Sequence, residues 1–129
     1  MKKIFLIGIA VLLLTGCGGK ESSLTCSGGT GYPEMKGKST RYFYFYNNKI
    51  SKVNIEMELD EQKDADYICN DYKNIKSSHE NETKDMKITC DGRKVSVENL
   101  YIDYYKDLKD ASREDVIKLA KESYDIKCE

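Results

Sequence analysis

Thr40-Arg41-Tyr42-Phe43-Tyr44-Phe45-Tyr46-Asn47-Asn48-Lys49-Ile50-Ser51-Lys52-Val53-Asn54-Ile55-Glu56-Met57-Glu58-Leu59 carries the clearest structural signal in the chain. Thr40 to Tyr46 is rich in the aromatic residues that favour strands. Successive side chains of a strand point to opposite faces, so Phe43 and Phe45 share one face and Tyr42, Tyr44 and Tyr46 the other. Asn47-Asn48 suits a two-residue turn, because Asn tolerates positive φ. From Ile50 to Leu59, Val53, Ile55, Met57 and Leu59 alternate with Asn54, Glu56 and Glu58, the period of a half-buried strand. The stretch is therefore an antiparallel hairpin with one apolar face.

On the N-terminal side, Gly28 to Lys38 holds four glycines and the only proline, Pro33, and reads as a loop. Leu24-Thr25-Cys26-Ser27 before it is a short strand. On the C-terminal side, Asp60 to Asp64 leads into a helix. Ala65, Ile68, Cys69, Tyr72 and Ile75 fall at helical spacing, with Asp64 as its N-cap. Ser77 to Lys84 is a polar loop. Met86, Ile88 and Cys90 then alternate with Lys87 and Thr89, and Asp91-Gly92 signals a second hairpin. Val95 and Val97 begin its return strand. The phase shifts near Asn99, and a bulge at Glu98-Asn99 would let the strand continue through Tyr105. Ser112-Arg113-Glu114-Asp115 resembles a capping box, and Val116, Ile117, Ala120 and Tyr124 give a second amphipathic helix. Asp125 to Glu129 is a short tail carrying Cys128. These elements predict an α+β fold in the order β-ββ-α-ββ-α, with an antiparallel sheet of about five strands and two helices packed on one face.

The chain has 129 residues, with 33% charged and 40% apolar side chains. That charge content argues against an integral membrane protein, and the apolar share against a disordered one. The net charge of −1 gives no electrostatic bias toward nucleic acid. One histidine, His79, excludes a three-histidine metal site.

The N-terminus is an address. Lys2 and Lys3 precede an unbroken apolar run from Ile4 to Leu14. A membrane-spanning helix needs about 20 such residues, so the run matches the core of a secretory signal peptide instead. Leu14-Thr15-Gly16-Cys17 follows and resembles the lipobox of bacterial lipoproteins. In that family the cysteine thiol receives a diacylglyceryl group and the peptidase cuts just before it. The resemblance implies residues 1–16 as signal peptide, Cys17 as the lipidation site, and a lipid-anchored chain on the outer side of a bacterial cell membrane. Gly18 to Ser23 is small and polar, which makes 17–23 the lipidated cysteine and a flexible tether. A single extracytoplasmic domain then runs from 24 to 129.

Cys26, Cys69, Cys90 and Cys128 remain once Cys17 is lipidated. An even number in a small exported domain reads as two disulfides, with three connectivities open. Zinc is the competing reading, but no C-x-x-C pair exists. Free thiols are the third. Taken whole, the mature chain resembles the YehR-like small lipoproteins, on the lipobox, the opening Leu24-Thr25-Cys26, the paired hairpins and the terminal Tyr124-Asp125-Ile126-Lys127-Cys128. That resemblance implies a ββαββα-type extracytoplasmic domain and supplies no catalytic residue. Element geometry separately suggests a pairing. A helix rises about 1.5 Å per residue and a strand about 3.3 Å, so a strand from Asp85 to Cys90 returning along the helix would bring Cys90 back to Cys69. Cys26 would then join Cys128.

Catalytic patterns are weak. Gly31 to Ser39 imitates a phosphate-binding loop but has five residues between its glycines where four are required, and a strand follows it rather than a helix. Glu56 and Glu58 point the same way on one strand, about 7 Å apart, a separation compatible with an inverting carboxylate pair. Nothing around them suggests an apolar pocket. No metal site, cofactor or enzymatic motif emerges. Tyr42, Tyr44 and Tyr46, joined by Tyr101 and Tyr105, form a candidate binding face for a protein, peptide or glycan. The sequence therefore points to a membrane-anchored extracytoplasmic binding or interaction module. A small cell-envelope hydrolase using Glu56 and Glu58, or an assembly factor for a membrane complex, is the alternative.

Overall fold

The computed structural model describes residues 20–123 and 126–129. The signal run, the lipobox with Cys17, and the pair 124–125 lie outside the described residues. In chain order the elements are β1 (Glu21–Gly28), β2 (Gly37–Tyr46), β3 (Lys49–Leu59), α1 (Gln62–Ser78), β4 (Lys87–Asp91), β5 (Lys94–Glu98), a 3-10 turn (Ile102–Tyr104), α2 (Arg113–Glu122) and β6 (Ile126–Cys128). The described strands form one antiparallel sheet in the order β4-β5-β3-β2-β1-β6.

The β2–β3 hairpin forms as its sequence requires. Asn47 and Asn48 take φ of 52° and 59°, the pair of positive angles that matches a tight turn to the twist of its strands. Phe43 lies opposite Val53 and is buried with it. The register slips between Tyr44 and Phe45, placing Ser51 as an extra residue on β3. The Ser51 hydroxyl donates to the Tyr44 carbonyl at 3.2 Å. This bulge puts Ile50 and Val53 in the same core, which strict alternation would have set on opposite faces.

Both helices bury their apolar residues in that core. α1 contributes Ala65, Ile68, Cys69, Tyr72 and Ile75, the five residues that the helical spacing marks. It starts two residues before Asp64, with Glu61 at the N-cap and no side-chain cap bond. The acidic side chain of Asp64 therefore sits in the first turn, where it faces the positive end of the helix dipole. α2 has the expected capping box: the Ser112 hydroxyl accepts from the Asp115 amide at 3.1 Å, and Asp115 accepts from the Ser112 amide at 3.0 Å. No described helix is long and apolar enough to cross a membrane.

Three expectations need correction. The sheet has six strands, because the C-terminal tail adds β6 against β1, with Cys26 opposite Cys128 and Gly28 opposite Ile126. Three residues carry too little periodicity to be recognised in sequence; the edge of β1 and the disulfide fix them. Second, no strand runs through Leu100 to Tyr105. β5 ends at Glu98, and Asn99 turns left-handed with φ of 57°. Its amide donates to Asn54 Oδ1 at 2.9 Å and its side chain to the Asp85 carbonyl at 3.0 Å. These bonds end the regular ladder; the Leu100 amide makes one more bond to β3, to the Val53 carbonyl at 3.0 Å, and a 3-10 turn follows. Third, β1 begins at Glu21, so Glu21 to Ser23 are strand rather than tether.

Cys26 is joined to Cys128 and Cys69 to Cys90, across sequence separations of 102 and 21 residues. The first fastens the C-terminus to β1. The second fastens α1 to the edge strand β4.

Candidate functional site

Arg41 stands on the inward face of β2, between Ser39 and Phe43, opposite Ile55 on β3 and Cys26 on β1. Its guanidinium reaches under the loop from Gly29 to Lys36. Nη2 donates to the Thr30 carbonyl at 2.8 Å and Nη1 to Ser39 Oγ at 2.7 Å. The buried Ser39 hydroxyl passes its own proton to the Gly29 carbonyl at 2.6 Å. The loop is held from within by the buried Thr30 hydroxyl, which donates to the Met35 carbonyl at 2.9 Å and accepts from the Tyr32 amide at 3.0 Å. Gly31 takes φ of +87°, and a Cβ there would stand 3.0 Å from Arg41 Nη2. A bare glycine thus lets the loop lie against the guanidinium.

Arg41 lines a cleft of about 310 Å³ between the sheet and the helices. Tyr32 from the loop, Tyr72 from α1 and Tyr105 after the 3-10 turn line the same cleft. So do Leu100, Leu108, Val116, Leu119 and Ile126. Tyr32 and Tyr72 each act electrostatically on the other. Burial raises the pKa of Tyr32, Tyr72 and Tyr105, and the exposed carboxylate of Asp71 adds to the shift in each. The phenols therefore stay protonated at neutral pH. Burial also lowers the pKa of Arg41, but a guanidinium starts so high that it keeps its charge. Among the described residues, no carboxylate forms an ion pair with it. The cleft thus presents one fixed positive charge, three neutral phenols and an apolar wall.

Among the described residues, no helix covers the other face of the sheet. Tyr42 and Tyr44 lie on it, half-buried, and exposed Tyr46 alternates with them at the strand end. Tyr42 donates to Glu56 Oε1 at 3.3 Å, and Lys52 Nζ lies 4.6 Å from the centre of the Tyr44 ring. Glu58 meets Lys38 at 3.9 Å. A shallow groove of about 600 Å³ crosses this face, lined by hydroxyls and charges such as Thr40, Thr89, Ser96, Glu56, Glu58 and Lys94. It is larger than the Arg41 cleft, but it lacks the apolar enclosure that would turn the two carboxylates into an acid and a base.

Tyr101 and Tyr105 do not belong to this open face. The chain leaves the sheet at Asn99, so the alternation that would place them beside Tyr42 never forms. Tyr105 joins the Arg41 cleft on the helix side. Tyr101 packs on His79, with ring centres 5.2 Å apart. Among the described residues, no three His, Cys, Asp or Glu side chains gather to hold a metal ion.

Arg41 is the functional candidate that the sequence reading passes over. The signal was present: a period of two counted back from Phe45 and Phe43 lands on Arg41 and places it inward. Comparison with protein families, with curated proteins and with solved structures finds no match to this chain.

Proposed function

We propose that this protein is a lipid-anchored binding module on the outer side of a bacterial cell membrane, taking a small-molecule ligand into the Arg41 cleft. The basic start, apolar run and lipobox ending at Cys17 support the anchor, as does the resemblance to YehR-like small lipoproteins. The cleft carries the binding assignment. A guanidinium in an apolar surround with no carboxylate beside it is costly to maintain, and such an arrangement is characteristic of ligand sites. The open face is the weaker candidate, because Tyr42 and Tyr44 already spend their polar and aromatic faces on Glu56 and Lys52.

The test is to titrate the isotope-labelled protein with a small-molecule extract of cell envelopes and map the amide shifts. The expected shifts cluster at Tyr32, Arg41, Tyr105 and Leu119. A cluster at Tyr42, Tyr44 and Glu56 instead would move the binding site to the open face.

A further inference from the structure

The cleft has two chemically different kinds of lining, and the class of ligand they select rests on the cleft being the binding site. The polar part of the lining is the Arg41 guanidinium with the phenols of Tyr32, Tyr72 and Tyr105. Bonds to described residues use two of its five N–H groups, one on each terminal nitrogen. The apolar part is Leu100, Leu108, Val116, Leu119 and Ile126, whose side chains offer no hydrogen bond.

We infer that the cleft takes a carboxylate with an apolar body, an amphiphilic monoanion whose carboxylate meets Arg41 and whose body lies on the leucine-rich wall. Three features select this class. A carboxylate presents two oxygens to the planar guanidinium fork and removes the cost of an uncompensated charge. The phenols donate without adding positive charge, so a doubly charged phosphate would keep one charge unbalanced. An inorganic anion would leave the apolar wall facing water, whereas an apolar body displaces that water. A cleft of about 310 Å³ suits a small molecule rather than a chain segment.

The test compares 3-phenylpropanoate with its neutral isostere 3-phenylpropanamide, by calorimetry and ligand-observed NMR, on the full lipidated protein in nanodiscs. The acid is expected to bind about tenfold or more tightly than the amide, the difference a charge-assisted hydrogen bond supplies. Arg41→Met should reduce the acid to the affinity of the amide. Arg41→Lys, which keeps the charge and loses the fork, should fall between. Leu119→Trp fills apolar space in the cleft and leaves the Arg41 side chain in place, so it should weaken acid and amide alike; this arm stays informative if Arg41→Met does not fold. Equal binding of acid and amide, unchanged by Arg41→Met, would overturn the carboxylate assignment while leaving the cleft as the ligand site. Competition by inorganic phosphate, with no effect of Leu119→Trp, would overturn the amphiphile in favour of a bare anion. Acid and amide both binding with no shift at Tyr32, Tyr105 or Leu119 would overturn the cleft itself.

Discussion

Arg41 and Tyr42 are neighbours on β2, yet they face different solvents. Arg41 points toward the helices and is enclosed by the loop from Gly29 to Lys36, with Tyr32, Tyr72 and apolar side chains around it. Tyr42 points away from the helices, and its hydroxyl meets the exposed Glu56. The inward residue is a cation where the pattern calls for an apolar one; the outward residue is an aromatic where the pattern allows a polar one. A violation on the covered face is the more informative of the two. There a charge loses its hydration and must be compensated, whereas an exposed tyrosine costs the fold little.

The largest expected difference between the faces is in packing. Phe45→Ala empties a site that is 2% exposed on the helix side and should cost about 3–5 kcal/mol. Tyr44→Ser on the open side should cost about 1 kcal/mol or less, the span of strand propensity. Urea denaturation of both variants measures the gap. An equal loss at Tyr44 would show that the open face is packed in the native protein, by a partner or a second copy.

The next difference is in titration. Tyr72 is buried and its folded-state pKa is raised, first by desolvation and then by Tyr32. Below the ordinary phenol pKa of about 10, Tyr72 is protonated whether the chain is folded or not, and stability does not depend on it. Above that value the unfolded chain ionises while the folded one does not. Stability therefore falls as pH rises past about 10, by at most about 1.4 kcal/mol per pH unit for this residue. Denaturation midpoints between neutral pH and this range should show the decline, and Tyr72→Phe should reduce it, leaving the share of Tyr32 and Tyr105. A decline unchanged by Tyr72→Phe would place the alkaline sensitivity elsewhere. Tyr42 on the open face also has a raised pKa, from modest desolvation and from Glu56, but its exposure leaves it solvated and its contribution smaller.

The smallest effect belongs to the exposed charges. Glu58→Gln removes the 3.9 Å contact with Lys38 and should change stability by less than about 0.5 kcal/mol. Joined with Glu56→Gln, it should leave ligand binding in the cleft unaltered. A loss of turnover on an envelope glycan in that double variant would instead revive the carboxylate hydrolase.

The hairpins, the five buried residues of α1 and the capping box of α2 are legible in the sequence because each depends on neighbours within a few positions. Periodicity and turn chemistry report such local geometry directly. Tyr105 is misplaced by its sequence pattern for the opposite reason. Its alternation with Asp103 and Tyr101 imitates a strand, but the left-handed Asn99, held by Asn54 and Asp85, ends the sheet first. β6 is invisible because its partner lies about a hundred residues away, and three residues cannot display a period.

The chain's order alone thus settled both hairpins and both described helices, the inward and outward faces of β2 and β3, and the even set of cysteines left beside Cys17. Tertiary packing settled what the cleft contains. Arg41 from a strand, Tyr32 from a loop, Tyr72 from a helix and Tyr105 from a turn are brought together by the sheet register, the helix packing and the fastening of β6 to β1. None of these contacts has a sequence period, because each joins elements distant along the chain that meet only after the core has closed.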